Sequence, residues 1–422
     1  MNKNKQAIAF SYFTSPKYLV NKAVNTWLPK LRHLGASAVI FKSGFSRAIS
    51  EDVFIAAQEN ELMPIIHFVS ELPLARKFNE VAFLLDIYAK WGIGKAILGD
   101  KPNIKKSWQI SGWHYENLVD HFLDRFIPLA NHAVRIGLQP VFPPLQPGGD
   151  YWDSAFIELA LEGLRRRRMD SILANLALTS YGYTFNKPLI WGRGGPERWS
   201  SSKPYQTPEG QEDQLGFHNF EWVQAISQRV IGEKLPILIL DAGCPGTLHS
   251  ELDPDVICES IKKVYQACID VPSIKAEEVD ETVNFGDSVH YCTFELDTLD
   301  RALGGGITFE QLKLFFVGQN GEKINGTSNS STNKVFSDYL LLPSYDSGVS
   351  DAILNKVRPL IKQKQPTVGF SLKEASLARN VLVYPDPNLF PDDEINRLRT
   401  EGCVVTILPE SGIEIATISQ NI

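Results

Sequence analysis

Short apolar runs alternate with longer helical patterns along the first three quarters of the sequence. The predicted strands are residues 7–13, 36–42, 63–69, 95–99, 139–142, 175–180, 236–240 and 288–296. The predicted helices are residues 24–34, 51–60, 80–91, 115–136, 154–174, 220–231, 254–269 and 309–317. Eight successive β-then-α units over about 320 residues are typical of an α/β fold of the (β/α)8 barrel type.

An open, doubly wound parallel sheet is the structural alternative to a barrel. The barrel is preferred because no GxGxxG sequence follows the first strand, where a dinucleotide-binding sheet would carry it. The predicted loops after strands four, five and six are also long and rich in aromatic residues. Such loops at the carboxyl ends of barrel strands form active sites.

The polar, Gly/Ser/Asn-rich segment 318–333 interrupts this pattern and predicts an exposed loop or linker. Beyond it the α/β pattern restarts on a smaller scale. We therefore expect a barrel over residues 1–320 and a small α/β domain over residues 334–422. The small domain shows no nucleophile or phosphate loop, so packing or assembly of a homo-oligomer is its expected role.

Acidic residues follow several of the predicted strands. The apolar run 235–240 ends at Asp241, and Asp100 and Glu295 close strands four and eight. Because the carboxyl ends of barrel strands meet at one face, these carboxyl groups are candidate catalytic residues. Glu197, in the loop after strand six, is a fourth candidate.

The same face is predicted to collect aromatic and polar side chains that suit a carbohydrate. Aromatic rings stack on the apolar faces of sugars, while charged and amide groups bind the hydroxyls. The candidate substrate-binding residues are Lys101, Asn103, Trp113, Trp152, Tyr181, Tyr183, Trp191, Arg193 and Trp199.

Three short motifs resemble the clan A (β/α)8 retaining glycoside hydrolases, which include cellulases, β-galactosidases and β-xylosidases. The sequence GDKPN at 99–103 is similar to the clan's GNEPN, and LDAG at 240–243 is similar to its TExG. The sequence SYGY at 180–183 resembles the strand-six segment that places an aromatic residue beside the nucleophile. The second domain resembles the flavodoxin-like or class I amidotransferase-like module of some β-galactosidase-type enzymes.

The resemblance implies that Asp241 is the nucleophile and that the acid/base belongs near Asp100. The clan's acid/base glutamate is replaced here by Lys101, and its preceding Asn by Asp100. A Lys ammonium does not replace a carboxylic acid that protonates a leaving oxygen. Asp100 is therefore the first candidate for the acid, with Glu197 and Glu295 as further candidates.

Three hypotheses follow for the function. The first is a weak or atypical retaining glycoside hydrolase on β-linked glycans. The second is a pseudoenzyme that binds a glycan or a protein, in which Lys101 pairs with Asp100 or Asp241 and neutralises the acid. The third is a Schiff-base lyase that uses Lys101, although the neighbouring Asp100 disfavours the lowered pKa that such a lysine needs.

Composition excludes other classes. The net charge of −7 argues against a nucleic-acid partner, and no apolar run approaches the ~20 residues of a membrane span. The histidines form no HxH or HExxH pattern and no phosphate loop is present, so neither a metal nor a cofactor is expected. Five cysteines without CxxC spacing fit a reduced compartment, and a cytoplasmic location is expected.

Overall fold

The structure is a computed structural model that describes residues 7–44, 48–69, 78–108, 113, 116–246, 254–269, 285–317, 336–343, 345, 350–364 and 366–409. The chain divides into two compact units, Met1–Gln319 and Asn320–Ile422. Within the described ranges, every helix is too short or too polar to traverse a lipid bilayer.

The first unit contains eight parallel strands. They are β1 (Ile8–Ser11), β2 (Ala36–Ser43), β3 (Met63–Phe68), β4 (Lys95–Leu98), β5 (Gln139–Val141), β6 (Leu178–Tyr181), β7 (Ile237–Leu240) and β8 (Val289–Glu295). Their hydrogen-bonded order is β5-β4-β3-β2-β1-β8-β7-β6. A parallel bridge between Val141 and Ala177 links the two outermost strands, so the sheet is a nearly closed barrel. The predicted (β/α)8 fold is confirmed.

Helices follow the strands and pack around them. They are α1 (Asn21–His33), α2 (Glu51–Glu59), α3 (Phe78–Lys90), α4 (Leu118–Arg135), α5 (Asp153–Arg166), α6 (Asp170–Leu173), α7 (Gly195–Arg198), α8 (Asn219–Ile231), α9 (Pro254–Ile269), α10 (Leu296–Ala302) and α11 (Phe309–Val317). All four residues of β1, β6 and β7 are buried, as expected for strands covered on both faces.

The structure breaks one predicted helix and adds short helices that were not predicted. The helix predicted over residues 154–174 is broken into α5 and α6 because Arg168 adopts a left-handed conformation with φ of +54°. Residues 296–302, directly after β8, form a short helix that was not predicted. This helix matters for the site because it carries Thr298 and Arg301 beside the end of β8.

The second unit is a four-stranded parallel sheet with helices. Its elements are β9 (Phe336–Leu341), α12 (Asp351–Lys364), β10 (Thr367–Gly369), α13 (Leu372–Ala375), β11 (Ala378–Val383), α14 (Asp392–Thr400) and β12 (Val404–Ile407). The strand order is β10-β9-β11-β12. Alternate residues of β9 enter two separate cores, Tyr339 and Leu341 in one and Leu340 in the other. Because successive residues of a strand point to opposite faces, the two cores lie on the two faces of the sheet.

Candidate active site

The carboxyl ends of the barrel strands surround a cavity of about 530 Å³. Its volume falls in the ~300–1,000 Å³ range of small-molecule sites. Every strand except β5 contributes a side chain from its end or from the residues that follow it. The polar lining comprises Ser11, Lys42, His67, Asp100, Lys101, Tyr181, Tyr183, Asp241, Cys244, Glu295, Thr298 and Arg301.

Asp241 is held at the end of β7 in a left-handed conformation with φ of +49°. Such a conformation is costly for a non-glycine residue and is found disproportionately at functional sites. The turn that follows is fixed on both sides: Ala242 N–H donates to Thr293 O at 2.8 Å, and Gly243 N–H donates to Gly182 O at 2.9 Å. The backbone therefore aims the Asp241 carboxyl group into the cavity.

The Asp241 carboxyl group has a raised pKa. Burial and the neighbouring Glu295 carboxylate raise its pKa to about 7, while Lys42 and Lys101 act in the opposite direction. Within the described part of the chain, its oxygens accept no hydrogen bond. At neutral pH a large fraction of this acid carries a proton that it can donate.

Glu295, at the end of β8, is held as a carboxylate. It forms an ion pair with Lys42 from β2 and accepts a hydrogen bond from the Thr298 hydroxyl. Burial favours the neutral acid, but the Lys42 charge and these hydrogen bonds outweigh it and lower the Glu295 pKa. Two carboxyl groups in one cavity thus have pKa values moved in opposite directions, which is the pattern of an acid and a base.

Asp100, just after β4, is the third carboxyl group of the cavity. The Tyr181 hydroxyl donates to Asp100 Oδ1 at 2.8 Å, and His67 Nε2 lies 3.8 Å from the same oxygen. Burial lowers the His67 pKa to about 4, so that ring is neutral at physiological pH. Among the described residues, Asp100 Oδ2 has no hydrogen-bond partner and is available to a ligand.

Lys101 enters the cavity but does not pair with a carboxylate. Its φ is +46°, and its N–H donates to Pro144 O at 2.9 Å. Its ammonium lies 4.8 Å from the centroid of the Tyr181 ring. In the ranges that the structure describes, Lys101 makes no ion pair with Asp100 or Asp241, contrary to the expectation for a neutralised pseudoenzyme.

Tyr181 and Tyr183 form an aromatic wall. Their rings are stacked, with centroids 4.5 Å apart and an interplanar angle of 10°. Burial raises both phenol pKa values well above normal, so both rings remain neutral. The wall adds an uncharged aromatic surface to the cavity lining.

Asn103 and Trp113 lie outside the cavity lining. Asn103 is fully buried and ties two loops together: its Nδ2 donates to Gln146 O at 2.8 Å and to Tyr151 O at 2.9 Å. Trp113 packs against the barrel core. The structure therefore gives both residues a role in shaping loops.

The other aromatic and charged candidates are also anchored away from the cavity lining. Trp152 packs on Tyr205 with ring centroids 4.7 Å apart. In the loop after β6, Trp191 Nε1 donates to Asp213 at 2.9 Å and Trp199 Nε1 donates to the carbonyl of Arg193 at 2.9 Å. Glu197 is exposed on the short helix α7. Trp191 and Trp199 thus stabilise the loop after β6, and Trp152 packs the loop after β5 against it.

Sequence reasoning missed several residues that line the cavity. They are Ser11, Lys42, His67, Cys244, Thr298 and Arg301. Lys42 and His67 are polar residues near the carboxyl ends of otherwise apolar strands. That position in the sequence could have identified them as site residues. Thr298 and Arg301 belong to the helix that was not predicted.

No family model matches this sequence, and no curated protein matches it. Solved structures do show similarity. One is a hyperthermophilic endo-β-1,4-glucanase (10% identity, TM-score 0.37, 69% of this chain and 88% of that chain). Another is a GH18 chitinase from Pseudoalteromonas aurantia (11%, 0.37, 74% and 100%). A third is a monomeric β-xylosidase from Caulobacter crescentus (12%, 0.37, 62% and 57%). Similarities at 10–12% identity give no information on whether this chain shares an activity with those proteins.

Proposed function

We propose that the barrel is an atypical glycoside hydrolase in which Asp241 is the proton donor. The observation that carries the proposal is that Asp241, whose pKa is raised to about 7, shares one cavity with two further carboxyl groups, those of Asp100 and Glu295. Glycoside hydrolysis needs one carboxylic acid to protonate the leaving oxygen and one carboxylate to serve as base or nucleophile.

Asp100 is proposed as that carboxylate. Both Glu295 oxygens are engaged, one by Lys42 and one by Thr298, whereas Asp100 Oδ2 is free among the described residues. Tyr181 holds the other Asp100 oxygen in place. These roles reverse the expectation from sequence, in which Asp241 was the nucleophile and Asp100 the acid.

Glu295 is proposed as a positioning residue that acts through Asp241. Its negative charge is the strongest contribution after burial to the raised Asp241 pKa. Lys42 fixes that charge in the cavity wall by the ion pair. The arrangement raises the Asp241 pKa while both Glu295 oxygens remain bound to protein groups.

The test is hydrolysis of aryl β-glycosides whose leaving groups differ in acidity. An Asp241→Asn enzyme is expected to lose about 10²–10⁴-fold in kcat with poor leaving groups, the usual contribution of general acid catalysis. It is expected to lose much less with a dinitrophenyl leaving group, which departs without protonation. Asp100→Asn is expected to lose activity with both. Asp170→Asn, on the exposed start of α6, is the matched control.

A second candidate is a barrel that binds a glycan without cleaving it. It is favoured by Lys101, which occupies the position where the resemblance places the acid/base glutamate. Absence of turnover in the unmodified protein, together with a rise of its melting temperature in oligosaccharides, would establish this candidate. Equal losses for Asp241→Asn with both leaving groups would instead make Asp241 the nucleophile.

A further inference from the structure

Three cationic side chains line the cavity, and one of them is held in an ion pair. Lys42 is committed to Glu295. Lys101 and Arg301 also line the cavity, and neither forms an ion pair within the described part of the chain. Among the described residues, Arg301 donates to two uncharged oxygens, the Asp297 carbonyl and the Thr298 hydroxyl, and its charge contributes to the lowered Glu295 pKa. Two cationic groups are thus available to an anion that enters the cavity.

Lys101 is placed by a strained backbone. Its left-handed φ of +46° is secured by the hydrogen bond from its N–H to Pro144 O at 2.9 Å. A lysine on an unstrained loop would extend into solvent, because side-chain entropy favours freedom. Here the ammonium rests over the Tyr181 ring, where a cation–π contact holds it at the cavity wall.

The charge balance changes when Asp241 carries its proton. Glu295 and Asp100 then face the three cations Lys42, Lys101 and Arg301. His67 remains neutral because burial keeps its pKa at about 4. The form of the cavity that is ready to donate a proton therefore has an excess of positive charge.

We propose that the sugar bound in this cavity carries an anionic group, and that Lys101, with Arg301 at the rim, recognises it. The inference rests on the proposed carbohydrate site and adds its substrate class: a uronate, or a sugar phosphate or sulfate. All three present oxygen anions that an ammonium and a guanidinium bind. The aromatic wall of Tyr181 and Tyr183 contacts the apolar face of the same sugar.

The experiment is calorimetric titration of the full chain with matched sugars. Glucose, galactose and mannose are each compared with their uronate, 6-phosphate and 6-sulfate. We expect at least one anion to bind about tenfold or more tightly than its neutral parent, the size of one charge-assisted hydrogen bond. Its affinity is expected to fall with added salt, while that of the parent is unchanged.

Variants locate the contact. Lys101→Met is expected to remove that preference, and Lys101→Arg is expected to retain it. Lys106→Met, an exposed lysine on the same loop, is the control. If a Lys101 variant does not fold, the salt dependence of anion binding by the unmodified protein still tests whether the cavity recognises a charge.

The outcomes separate the two proposals. Neutral sugars that bind as tightly as every anion would overturn anion recognition and leave the proposed function standing. A preference for an anion that survives Lys101→Met would overturn the role of Lys101. Failure of all sugars to bind would also overturn anion recognition, while the proposed function is decided separately by the hydrolysis of aryl β-glycosides.

Discussion

Lys42 and Glu295 form an ion pair that crosses the end of β1, because β2 and β8 are the two neighbours of that strand in the barrel. The side chains are 18% and 15% exposed, so the pair is largely removed from water. Lys42 keeps Glu295 ionised, and Glu295 in turn raises the pKa of Asp241. Lys42 also lowers the Asp241 pKa directly, so this one lysine acts on the protonation of both carboxyl groups.

The ion pair predicts an asymmetry between single and double variants. Lys42→Met leaves a buried carboxylate without its partner, and the free energy of unfolding is expected to fall by ~3–5 kcal/mol. Adding Glu295→Gln is expected to recover most of that loss. Urea denaturation of the four proteins measures the coupling, with the exposed Lys105→Met as control. A loss below ~1 kcal/mol in the single variant would show that the pair is solvated.

Substitution of Asp241 by Asn is expected to stabilise the folded protein at alkaline pH. Its pKa in the folded protein, about 7, lies above the ~3.9 of an unfolded chain. The stability that this group contributes is therefore complete below pH ~4 and is lost as the pH rises through about 7.

Asp241→Asn carries no such pH dependence. At pH 8 it is expected to exceed the unmodified protein in unfolding free energy by a few kcal/mol, since each pKa unit is worth ~1.4 kcal/mol. Melting curves at pH 5 and pH 8 are the measurement, and equal differences at both pH values would contradict the raised pKa.

The same pKa predicts the pH dependence of turnover. If Asp241 is the acid, kcat/KM is expected to decline as the pH rises through about 7, where its proton is lost. Glu295→Gln is expected to move this limb to lower pH, because a repelling charge is removed. If kcat/KM declines at the same pH in both proteins, Glu295 does not set the pKa of the acid.

The turn after Asp241 has no room for a side chain at Gly243. Its φ is +81°, and an added Cβ would lie 2.6 Å from Ile261 Cα on α9. Gly243→Ala is expected to cost ~3 kcal/mol or more, from left-handed strain and overpacking together. Gly210→Ala is a matched control, with φ of +76° and nothing within 4 Å of the added atom. Comparable losses in both would mean that strain alone acts.

The barrel and the position of its site could be predicted from sequence because both follow from periodicity. Apolar runs that end in an acid placed Asp100, Asp241 and Glu295 at one face, and the structure brings all three to one cavity. Strand period and the order of the elements can be read locally from the sequence. In a parallel barrel, residues at the carboxyl ends of the strands then lie close together.

What escaped prediction depends on contacts between distant segments. The role of Lys42 requires knowing that β2 and β8 flank β1, a consequence of barrel closure rather than of any motif. The loop after β6 was predicted to present Trp191 and Glu197 to the site. Its path is set instead by Asp213, which accepts from Trp191 and Lys187.

The barrel closes unevenly. Neighbouring strands elsewhere share at least three paired residues, but β5 and β6 are linked through the single bridge of Val141 and Ala177. Local opening of the ring therefore breaks the fewest main-chain hydrogen bonds at this seam, and amide hydrogen exchange is expected to be fastest there. Tyr181 ends the strand beside the seam. Thermal fluctuation is thus expected to be greatest beside Tyr181, whereas Glu295 ends β8, a strand that pairs with neighbours on both sides.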